Sequence, residues 1–518
     1  MAIMGVPLDF VNLRSEVYDD SSRIPSEIQF GTPSEDAYRR DTTINALFYN
    51  IHTHKVEDFT GRGLDDLRSG LIRTPLEAYE TFWQDPLRVL RCIRFASRFH
   101  FQLVEDAKKA MLDPRIKEAL RTKISKERIG AELEKMIDDG AGRSVGIGLL
   151  QELDLYDVVF SAPEVNIQEQ PKGTSAVEGP VRDIGEAFKL VWVMEWLLRL
   201  NPTDSDEFSR DGVVYTAKRD EGQEALLRAT KGQAFTDELF TVVRSEPPQD
   251  IPIIASREDQ QQQQQKQPKD KQDEEQQQAP PPQQSAPNPE KQAKRSLIFA
   301  SMLFPYRDMV TSVNKRPVPA AAWILRYGLK ARNQDIDAVS KMMDSIKLVQ
   351  TTVNNVHFGT LASATSLCSE TASQDKSPQE RVIADERAEI GMAIRDVGSM
   401  AVIGAKWPCM FLLGLGIELV SYFEQLHQGT IDYEAKAIIE KYNTFLKKAQ
   451  MYEVDYAFAW KYIVDGKELT KMLDTRPGPK TNAYLQLVMQ WQLRNPRASK
   501  EDCQKWIEAN KERILTAC

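Results

Sequence analysis

The sequence is poor in cysteine, with five among 518 residues. These cysteines are scattered and form no Cys-x-x-Cys motif and no neighbouring Cys/His pair, which excludes a zinc module and a disulfide framework. A chain that uses cysteine in this way fits a reducing compartment. The cysteines are Cys92, Cys368, Cys409, Cys503 and Cys518.

Long apolar runs are missing too. The longest, Trp407 to Val420, is interrupted by Glu418 and falls short of the about 20 residues that span a bilayer. The sequence therefore predicts a soluble protein with no membrane partner. Its length corresponds to about three domains.

The chain also has no overall excess of positive charge, because its net charge is −9, and this argues against a simple nucleic-acid binder. Locally the balance reverses: residues 88–128 hold twelve Lys or Arg and five acidic residues. This stretch is either a phosphate-facing surface or an ordinary solvated helical face. On the first interpretation the RNA-contacting residues are Arg91, Arg94, Arg98, Lys123 and Lys126.

Hydropathy patterns predict an α+β head followed by helices. Residues 7–14 alternate as a half-buried strand does, and residues 46–58 read as helix or strand before a turn at 60–63. From residue 84 the apolar positions recur at helical spacing over 84–99 and again over 123–137.

Composition changes sharply at residues 258–294, where Gln, Pro, Lys and acidic residues leave almost nothing to bury. We expect this insertion to be disordered. Residues 160–256 carry no motif that we can interpret. Helical apolar segments follow the insertion at 297–303, 320–329, 388–397, 407–423 and 484–493.

The most specific motif is Arg39-Arg40-Asp41, followed by Asn45. Two guanidinium groups can hold triphosphate oxygens, while a carboxylate and an amide can bind ribose hydroxyls. The alternative is a surface cluster of ion pairs at the start of a helix.

A second motif pairs Asp85 with Arg88. Cytosine and adenine both present an amino donor beside a ring-nitrogen acceptor, whereas uracil and guanine present a carbonyl beside an N–H. A carboxylate next to a guanidinium therefore suits C and A and mismatches U and G. The alternative is structural, because Asp85 followed by Pro86 is a good N-cap.

Two further stretches read as supporting elements. Residues 58–75 place acids around a turn in which Gly61 and Gly63 allow positive φ, so the stretch is either a connector or a hinge. Residues 125–135 combine an N-cap serine with charges that can support the helix of residues 85–99.

Taken in this order, these motifs closely resemble those of the class II tRNA nucleotidyltransferases, or CCA-adding enzymes. Their residue sequences resemble the fungal form. The resemblance spans nearly the whole chain, and Arg476-Pro477-Gly478-Pro479 and residues 491–496 are similar to the tail that grips tRNA in that family. It implies a polymerase-beta-like head with a mixed sheet, and then an all-helical neck, body and tail. It also implies CCA addition from CTP and ATP, with the tRNA 3′ end as partner and Mg²⁺ as cofactor.

The resemblance assigns roles to named residues. Nucleotide binding falls to Arg39, Arg40, Asp41 and Asn45, and base selection to Asp85 and Arg88. The turn motif, a hinge in the family, matches Asp58, Gly63 and Asp66, and the helix-supporting motif matches Arg128 and Glu132. Relatives usually carry an acid where this chain has Gln84.

One departure concerns the start of the chain, where we find neither the family's Gly-rich phosphate loop nor its strand with Asp-x-Asp. Those carboxylates bind two Mg²⁺ ions for attack on the α-phosphate. We therefore expect an N-terminally truncated product that holds no catalytic carboxylate and no metal ligand and is inactive or severely impaired alone.

Three other functions stay open. Bacterial poly(A) polymerases share the head motifs, so the full-length protein could add A tails instead. The chain could also be a noncatalytic RNA-binding fragment, or an interaction protein that works through the Gln/Pro-rich segment.

The expected organisation has six parts. The parts are a partial head at 1–80, a neck at 81–160, a first body part at 161–257, the insertion at 258–294, a second body part at 295–470 and a tail at 471–518.

The family serves mitochondria, cytoplasm and nucleus, but no targeting signal is visible here, and the sequence leaves the oligomeric state open.

Overall fold

The computed structural model describes most of the head and neck and large parts of the remaining chain. The described residues are 2–3, 6–7, 10–17, 27–138, 142–161, 167–169, 183–199, 207–210, 213–216, 289–313, 316–360, 377–399, 403–428 and 430–517.

Short strands alternate with helices at the start of the chain, and longer helices follow. The strands are β1 (Ala2–Ile3), β2 (Val6–Pro7), β3 (Arg14–Val17), β4 (Glu27–Phe30), β5 (Phe48–Asn50), β6 (Lys55–Glu57), β7 (Leu71–Ile72), β8 (Gln102–Leu103), β9 (Ile167–Glu169), β10 (Glu207–Arg210), β11 (Val213–Thr216), β12 (Met309–Val313) and β13 (Arg316–Pro319).

The first ten α-helices precede residue 200. They are α1 (Pro33–Tyr38), α2 (Gly63–Ser69), α3 (Ala78–Gln84), α4 (Leu87–Phe99), α5 (Glu105–Leu112), α6 (Pro114–Lys123), α7 (Lys126–Asp138), α8 (Arg143–Glu152), α9 (Tyr156–Val159) and α10 (Gly185–Arg199).

The later α-helices begin at residue 289. They are α11 (Pro289–Met302), α12 (Ala320–Trp323), α13 (Asn333–Phe358), α14 (Pro378–Val397), α15 (Pro408–Leu419), α16 (Phe423–His427), α17 (Tyr433–Met451), α18 (Gly466–Met472), α19 (Lys480–Arg494), α20 (Lys500–Ala509) and α21 (Lys511–Ala517).

The chain divides into two compact units. The first contains residues 1–199, 204–219 and 295–343, and the second contains 200–203, 220–294 and 344–518. All the motifs of the head and neck belong to the first unit, where Phe82, Val89, Leu90 and Ile93 form part of the core and are at most 2% exposed. In the second unit, Trp491 and Trp506 stack within a core that joins α19 to α20.

Local signals explain the elements beside the arginine motif. Helix α1 begins after Thr32, whose hydroxyl accepts from the Glu35 N–H while the Glu35 carboxylate accepts from the Thr32 N–H, with Pro33 in the first turn. Strand β3 pairs antiparallel with β4, and β5 with β6. Strand β7 pairs parallel with β8 across α4, so the head and neck share one strand pair.

The predicted α+β head is confirmed, but its strands begin elsewhere than predicted. Within the predicted strand 7–14, Pro7 pairs as part of β2, residues 10–13 are not in a strand, and Arg14 begins β3. Residues 46–58 form the β5–β6 hairpin rather than a helix. The helices predicted over 84–99 and 123–137 are present as α4 and α7.

The chain after the neck is mainly helical, as predicted, but its body also contains short strands. Strand β12 pairs with β13 on one side and β9 on the other, and β10 pairs with β11. The β-branched valines at 310, 313 and 318 favour strands, and prolines 317 and 319 lie on a strand paired on one side only.

The predicted disordered insertion is too long at its C-terminal end, because residues 289–294 belong to α11. There Ala293 packs in the core at 2% exposure, and the buried apolar residues of α11 continue from Leu297. Residues 258–288 lie outside the described residues.

One described segment, Pro408–His427, has the length and hydropathy of a membrane span, and 61% of its apolar window is buried within the protein. Glu418 in this segment accepts hydrogen bonds from Lys441 and from the Tyr442 hydroxyl. A buried helix that carries a paired carboxylate is typical of a protein core.

Candidate functional site

A cavity of about 480 Å³ in the first unit brings the predicted motifs together. Six basic and three acidic side chains line it, so the wall favours an anionic ligand. The lining residues are Val11, Arg39, Arg40, Asp41, Asn45, Asp85, Leu87, Arg88, Arg91, Arg128, Ala131, Glu132 and Lys135.

Both arginines of the first motif are held by one buried carboxylate, Asp36, which is 1% exposed. The Nε of Arg39 donates to Asp36 at 2.9 Å, and Nη2 of Arg40 donates to its other oxygen at 2.9 Å. Burial raises the pKa of Asp36, but hydrogen bonds from Arg39 and Arg40 outweigh burial and hold the pKa below its usual value.

Sequence reasoning missed Asp36, although a signal was present. Asp36 lies three residues before Arg39 and four before Arg40, the two spacings at which side chains meet on a helix. The arginines are thus fixed in place rather than part of a loose surface cluster, although their side chains stay 23% and 32% exposed.

Asp41 is buried and connects three elements. Its Oδ1 accepts from the Thr42 N–H at 2.8 Å and from Asn45 Nδ2 at 2.9 Å, while its Oδ2 accepts from Arg91 Nε at 2.6 Å. The predicted pair Asp41 and Asn45 is therefore one hydrogen-bonded unit within the cavity.

The second motif, Asp85 and Arg88, reaches the same cavity, but the two side chains have separate partners. Asp85 Oδ1 accepts from the Leu87 N–H at 3.2 Å, and Oδ2 accepts from Arg128 at 3.3 Å. Because a carboxylate oxygen can accept more than one hydrogen bond, the capping role and a ligand-binding role of Asp85 are compatible.

Arg88 is 7% exposed and anchors α4 to the arginine motif. Its guanidinium donates to the carbonyl oxygens of Arg39 at 2.6 Å and Thr81 at 3.3 Å. A guanidinium fixed by two main-chain carbonyls is already oriented before any ligand arrives.

Glu132 of α7 is the charge partner of α4 and is 3% exposed. It accepts from Arg94 Nε at 2.8 Å and from Lys135 Nζ at 2.8 Å, and Arg91 lies 3.9 Å away. Burial raises the pKa of Glu132, but these cations outweigh burial and lower it.

Replacing Glu132 with glutamine is expected to reduce the acid sensitivity of the fold. Because its pKa is lowered in the folded state, Glu132 adds stability above its ordinary pKa of about 4.3, and this stability is lost as pH falls through the lowered value. Urea unfolding of Glu132→Gln between pH 6 and pH 3 should therefore show a shallower loss of unfolding free energy than the parent.

Glu118→Gln is the matched control, because Glu118 forms an exposed pair with Arg121. Such pairs contribute little to stability. An equal flattening in both variants would contradict the role given to Glu132.

The predicted hinge residues lie outside the cavity, with Asp58 in the turn before α2 and Gly63 and Asp66 within α2. Asp58 accepts from the Thr60 and Leu64 N–H groups, which lowers its pKa despite burial, and Asp66 accepts from Thr43 and Arg73. These bonds stabilise one conformation of the turn, as expected of the connector.

The two glycines of this turn differ. Gly61 has a φ of +66°, as predicted, whereas Gly63 does not have positive φ. A Cβ at Gly63 would lie 2.7 Å from the Thr43 carbonyl oxygen. Close packing, not a left-handed conformation, therefore requires glycine at 63.

The five predicted RNA contacts have different surroundings in the structure. Arg94 is 7% exposed and bound to Glu132, so its assignment to RNA is corrected to a structural one. Arg91 points into the cavity. Arg98 lies over the Phe99 ring, Lys123 over the Trp83 ring, and Lys126 donates to the Ser161 hydroxyl.

The acids of the cavity do not fit a divalent cation. Asp41, Asp85 and Glu132 each pair with an arginine, and the described residues contain no group of three His, Cys, Asp or Glu that could hold a metal. The expectation that this chain lacks catalytic carboxylates stays a prediction.

Comparisons with known proteins find similarity in the head and along nearly the whole chain. Residues 3–73 match the poly A polymerase head domain. Over 514 residues the chain is 29% identical to the mitochondrial CCA tRNA nucleotidyltransferase of Candida glabrata, covering 98% of this chain and 76% of the relative. Over 158 residues it is 55% identical to the corresponding Saccharomyces cerevisiae enzyme, covering 30% of this chain and 29% of the relative. The chain is thus similar to a tRNA nucleotidyltransferase over nearly its whole length.

A solved structure of a nucleotidyltransferase is also similar. The Bacillus stearothermophilus CCA-adding enzyme in complex with CTP aligns with a TM-score of 0.45 and 15% identity, covering 98% of this chain and 80% of that one. The residues matched by the head domain include the complete Arg39-Arg40-Asp41 motif.

Proposed function

We propose that this protein adds CCA to tRNA 3′ ends from CTP and ATP, with the cavity of residues 39–41, 85–91 and 128–135 selecting the nucleotide. The observation that carries the proposal is that one cavity joins Arg39, Arg40, Asp41, Asp85 and Arg88. Together these residues can bind the triphosphate, the sugar and the base of a nucleotide.

The triphosphate is bound by Arg39 and Arg40. Both line the cavity and both are partly exposed while Asp36 holds them. A guanidinium keeps its positive charge while it bonds a carboxylate, and at the cavity wall this charge attracts phosphate oxygens.

The sugar is bound by Asp41 and Asn45. Asp41 is 4% exposed and hydrogen-bonded to Asn45, so its carboxylate keeps one orientation. A buried acceptor in a fixed orientation favours a ligand that donates a hydroxyl to it.

The base is selected by Asp85 and Arg88. Asp85 accepts from the amino group of C or A, and Arg88 donates to the adjacent ring nitrogen. U and G place a carbonyl against Asp85 and an N–H against Arg88. Because Arg88 is anchored to the carbonyls of Arg39 and Thr81, it does not turn away to accommodate them.

Activation of the tRNA 3′-hydroxyl is not assigned to any described residue, since the acids of the cavity are paired with arginines. That this chain alone is inactive or severely impaired in nucleotide transfer therefore stays our prediction. Nucleotide selection does not depend on it.

A transfer assay tests the proposal. The 518-residue chain is incubated with Mg²⁺, all four nucleotides and a tRNA lacking its terminal CCA, and the extended 3′ ends are sequenced. We expect C, C and A in that order, added much more slowly than by the Saccharomyces cerevisiae relative assayed in parallel.

Other results would contradict the proposal. Addition of U or G at the rate of C would refute selection by the cavity. Salt-dependent tRNA binding without any incorporation would favour the noncatalytic RNA-binding function.

Replacing Asp85 with asparagine should relax base selection. Asparagine can rotate its amide to donate to the carbonyl of U, so the preference for CTP over UTP is expected to fall by about tenfold, the loss of one charged hydrogen bond. Equilibrium binding of both nucleotides measures this ratio. Asp113→Asn is the control, because Asp113 pairs with Arg115 outside this cavity and its replacement should leave the ratio unchanged.

Poly(A) addition is the second candidate function, and the match of residues 3–73 to the poly A polymerase head domain favours it. The same transfer assay separates the two functions. Runs of A on a tRNA that already ends in CCA, without use of CTP, would support poly(A) addition.

We further propose a mitochondrial location, since two similar relatives are named mitochondrial enzymes. Cytoplasmic and nuclear pools of the same protein are part of the proposal. Imaging of the tagged protein expressed from its own gene tests both.

A further inference from the structure

The sequence predicted that Arg91 contacts RNA, but in the structure this side chain lines the cavity. Helix α4 carries arginines at 88, 91 and 94, three residues apart and therefore along one face. Arg88 binds main-chain carbonyls and Arg94 binds Glu132. Between them, Arg91 lines the cavity and donates its Nε to Asp41 Oδ2 at 2.6 Å.

The two oxygens of Asp41 have unequal surroundings. Oδ1 accepts from both the Thr42 N–H and Asn45 Nδ2, whereas Oδ2 accepts from Arg91. A carboxylate oxygen can accept more than one hydrogen bond. Oδ2 therefore keeps acceptor capacity for a ligand hydroxyl, and its direction depends on Arg91.

Charge supports the same arrangement. Arg91 lies 3.9 Å from Glu132 as well as against Asp41. Burial lowers the pKa of Arg91, but the charge of Asp41 outweighs burial and raises it, so the guanidinium stays charged. The resulting short, charge-assisted contact is of the kind that fixes a carboxylate in one rotamer.

We propose that Arg91 is a positioning residue that holds Asp41 against the sugar 2′-hydroxyl and thereby makes the site prefer ribonucleotides over deoxyribonucleotides. The inference rests on the proposed function, because it assumes that the cavity binds a nucleotide with its sugar beside Asp41. A 2′-deoxynucleotide leaves the oriented acceptor of Asp41 without a donor, and buried polar groups that lose their partner cost affinity.

The test compares binding of CTP and dCTP, which needs no turnover. Isothermal titration of the full chain is expected to show tighter binding of CTP. In Arg91→Met the ratio of the two dissociation constants should fall by about tenfold, mainly through weaker CTP binding, and Arg91→Lys should restore part of the ratio. A thermal melt of each variant verifies that it is folded.

A double-mutant cycle separates positioning from general structural damage. Asp41→Asn should lower the CTP preference as Arg91→Met does, and adding Arg91→Met to the Asp41→Asn variant should lower it no further. Lys135→Met is the matched control, since Lys135 lines the same cavity but contacts Glu132. Its loss should weaken CTP and dCTP equally.

The outcomes identify which claim fails. A parent chain that binds no nucleotide would refute the proposed function. A parent that binds CTP and dCTP equally, or an Arg91→Met variant that keeps the ratio and loses tRNA affinity, would overturn the positioning role and return Arg91 to RNA binding.

Discussion

Replacement of Asp36 with alanine is expected to destabilise the first unit by about 3 kcal/mol and to abolish most nucleotide binding. Asp36 is 1% exposed and accepts from Arg39, Arg40 and the Arg14 N–H. Removal of one partner from a buried ion pair costs about 3–5 kcal/mol, and the lower end applies because the arginines are partly exposed.

Loss of nucleotide binding follows from the same contacts. Without Asp36 the two guanidinium groups repel each other and lose the orientation that directs them to the cavity. We expect the affinity for CTP to fall by more than about tenfold. Urea unfolding and titration with CTP measure the two effects separately.

Asp65→Ala is the control, because Asp65 forms an exposed pair with Arg68 that has side-chain exposures of 80% and 73%. Its loss should change the unfolding free energy by less than about 0.5 kcal/mol. Equal losses in both variants would show that Asp36 is an ordinary surface acid.

Replacement of Gly130 with alanine has the second large expected effect, a loss of about 3 kcal/mol. A Cβ at Gly130 would lie 1.9 Å from the carbonyl oxygen of Leu329. Because that atom belongs to the main chain, no rotamer change relieves the overlap and α7 must shift.

The shift should also weaken CTP binding, since Gly130 lies in α7 between Arg128 and Glu132, which line the cavity. Chemical denaturation and CTP titration measure both effects.

Gly148→Ala is the matched control. Its Cβ would meet the Phe188 side chain at 3.3 Å, which a ring can accommodate, and alanine favours a helix over glycine. A neutral or stabilising result is expected there. A tolerated Gly130→Ala would contradict the tight packing of α7 against Leu329.

Much of the site could be predicted because its chemistry is local in sequence. Arg39, Arg40 and Asp41 are consecutive, Asp85 and Arg88 are three apart, and the structure places all five around one cavity. Helix α4 could also be predicted from the sequence, because its apolar positions repeat at helical spacing over more than three turns.

Contacts between distant residues could not be predicted. The carbonyl of Arg39 that accepts from Arg88 is 49 residues away, and Asp41 and Arg91 are 50 apart. Charge patterning shows that Arg91 and Arg94 are basic but not which acid each one meets. This is why both were assigned to RNA, although one lies in the cavity and the other is buried on Glu132.

The strands of the body were missed for a related reason. Strands β12 and β13 are five and four residues long and contain two prolines, so their pattern is weak beside the long helices around them. The pairing of β12 with β9 joins segments about 140 residues apart in sequence, which no local pattern reveals.

Equilibrium binding of the four ribonucleoside triphosphates to the 518-residue chain tests the central claim most directly, because it examines the cavity without requiring catalysis. The account predicts that CTP and ATP bind at least about tenfold more tightly than UTP and GTP. Equal binding of all four, or no binding, would contradict selection by Asp85 and Arg88.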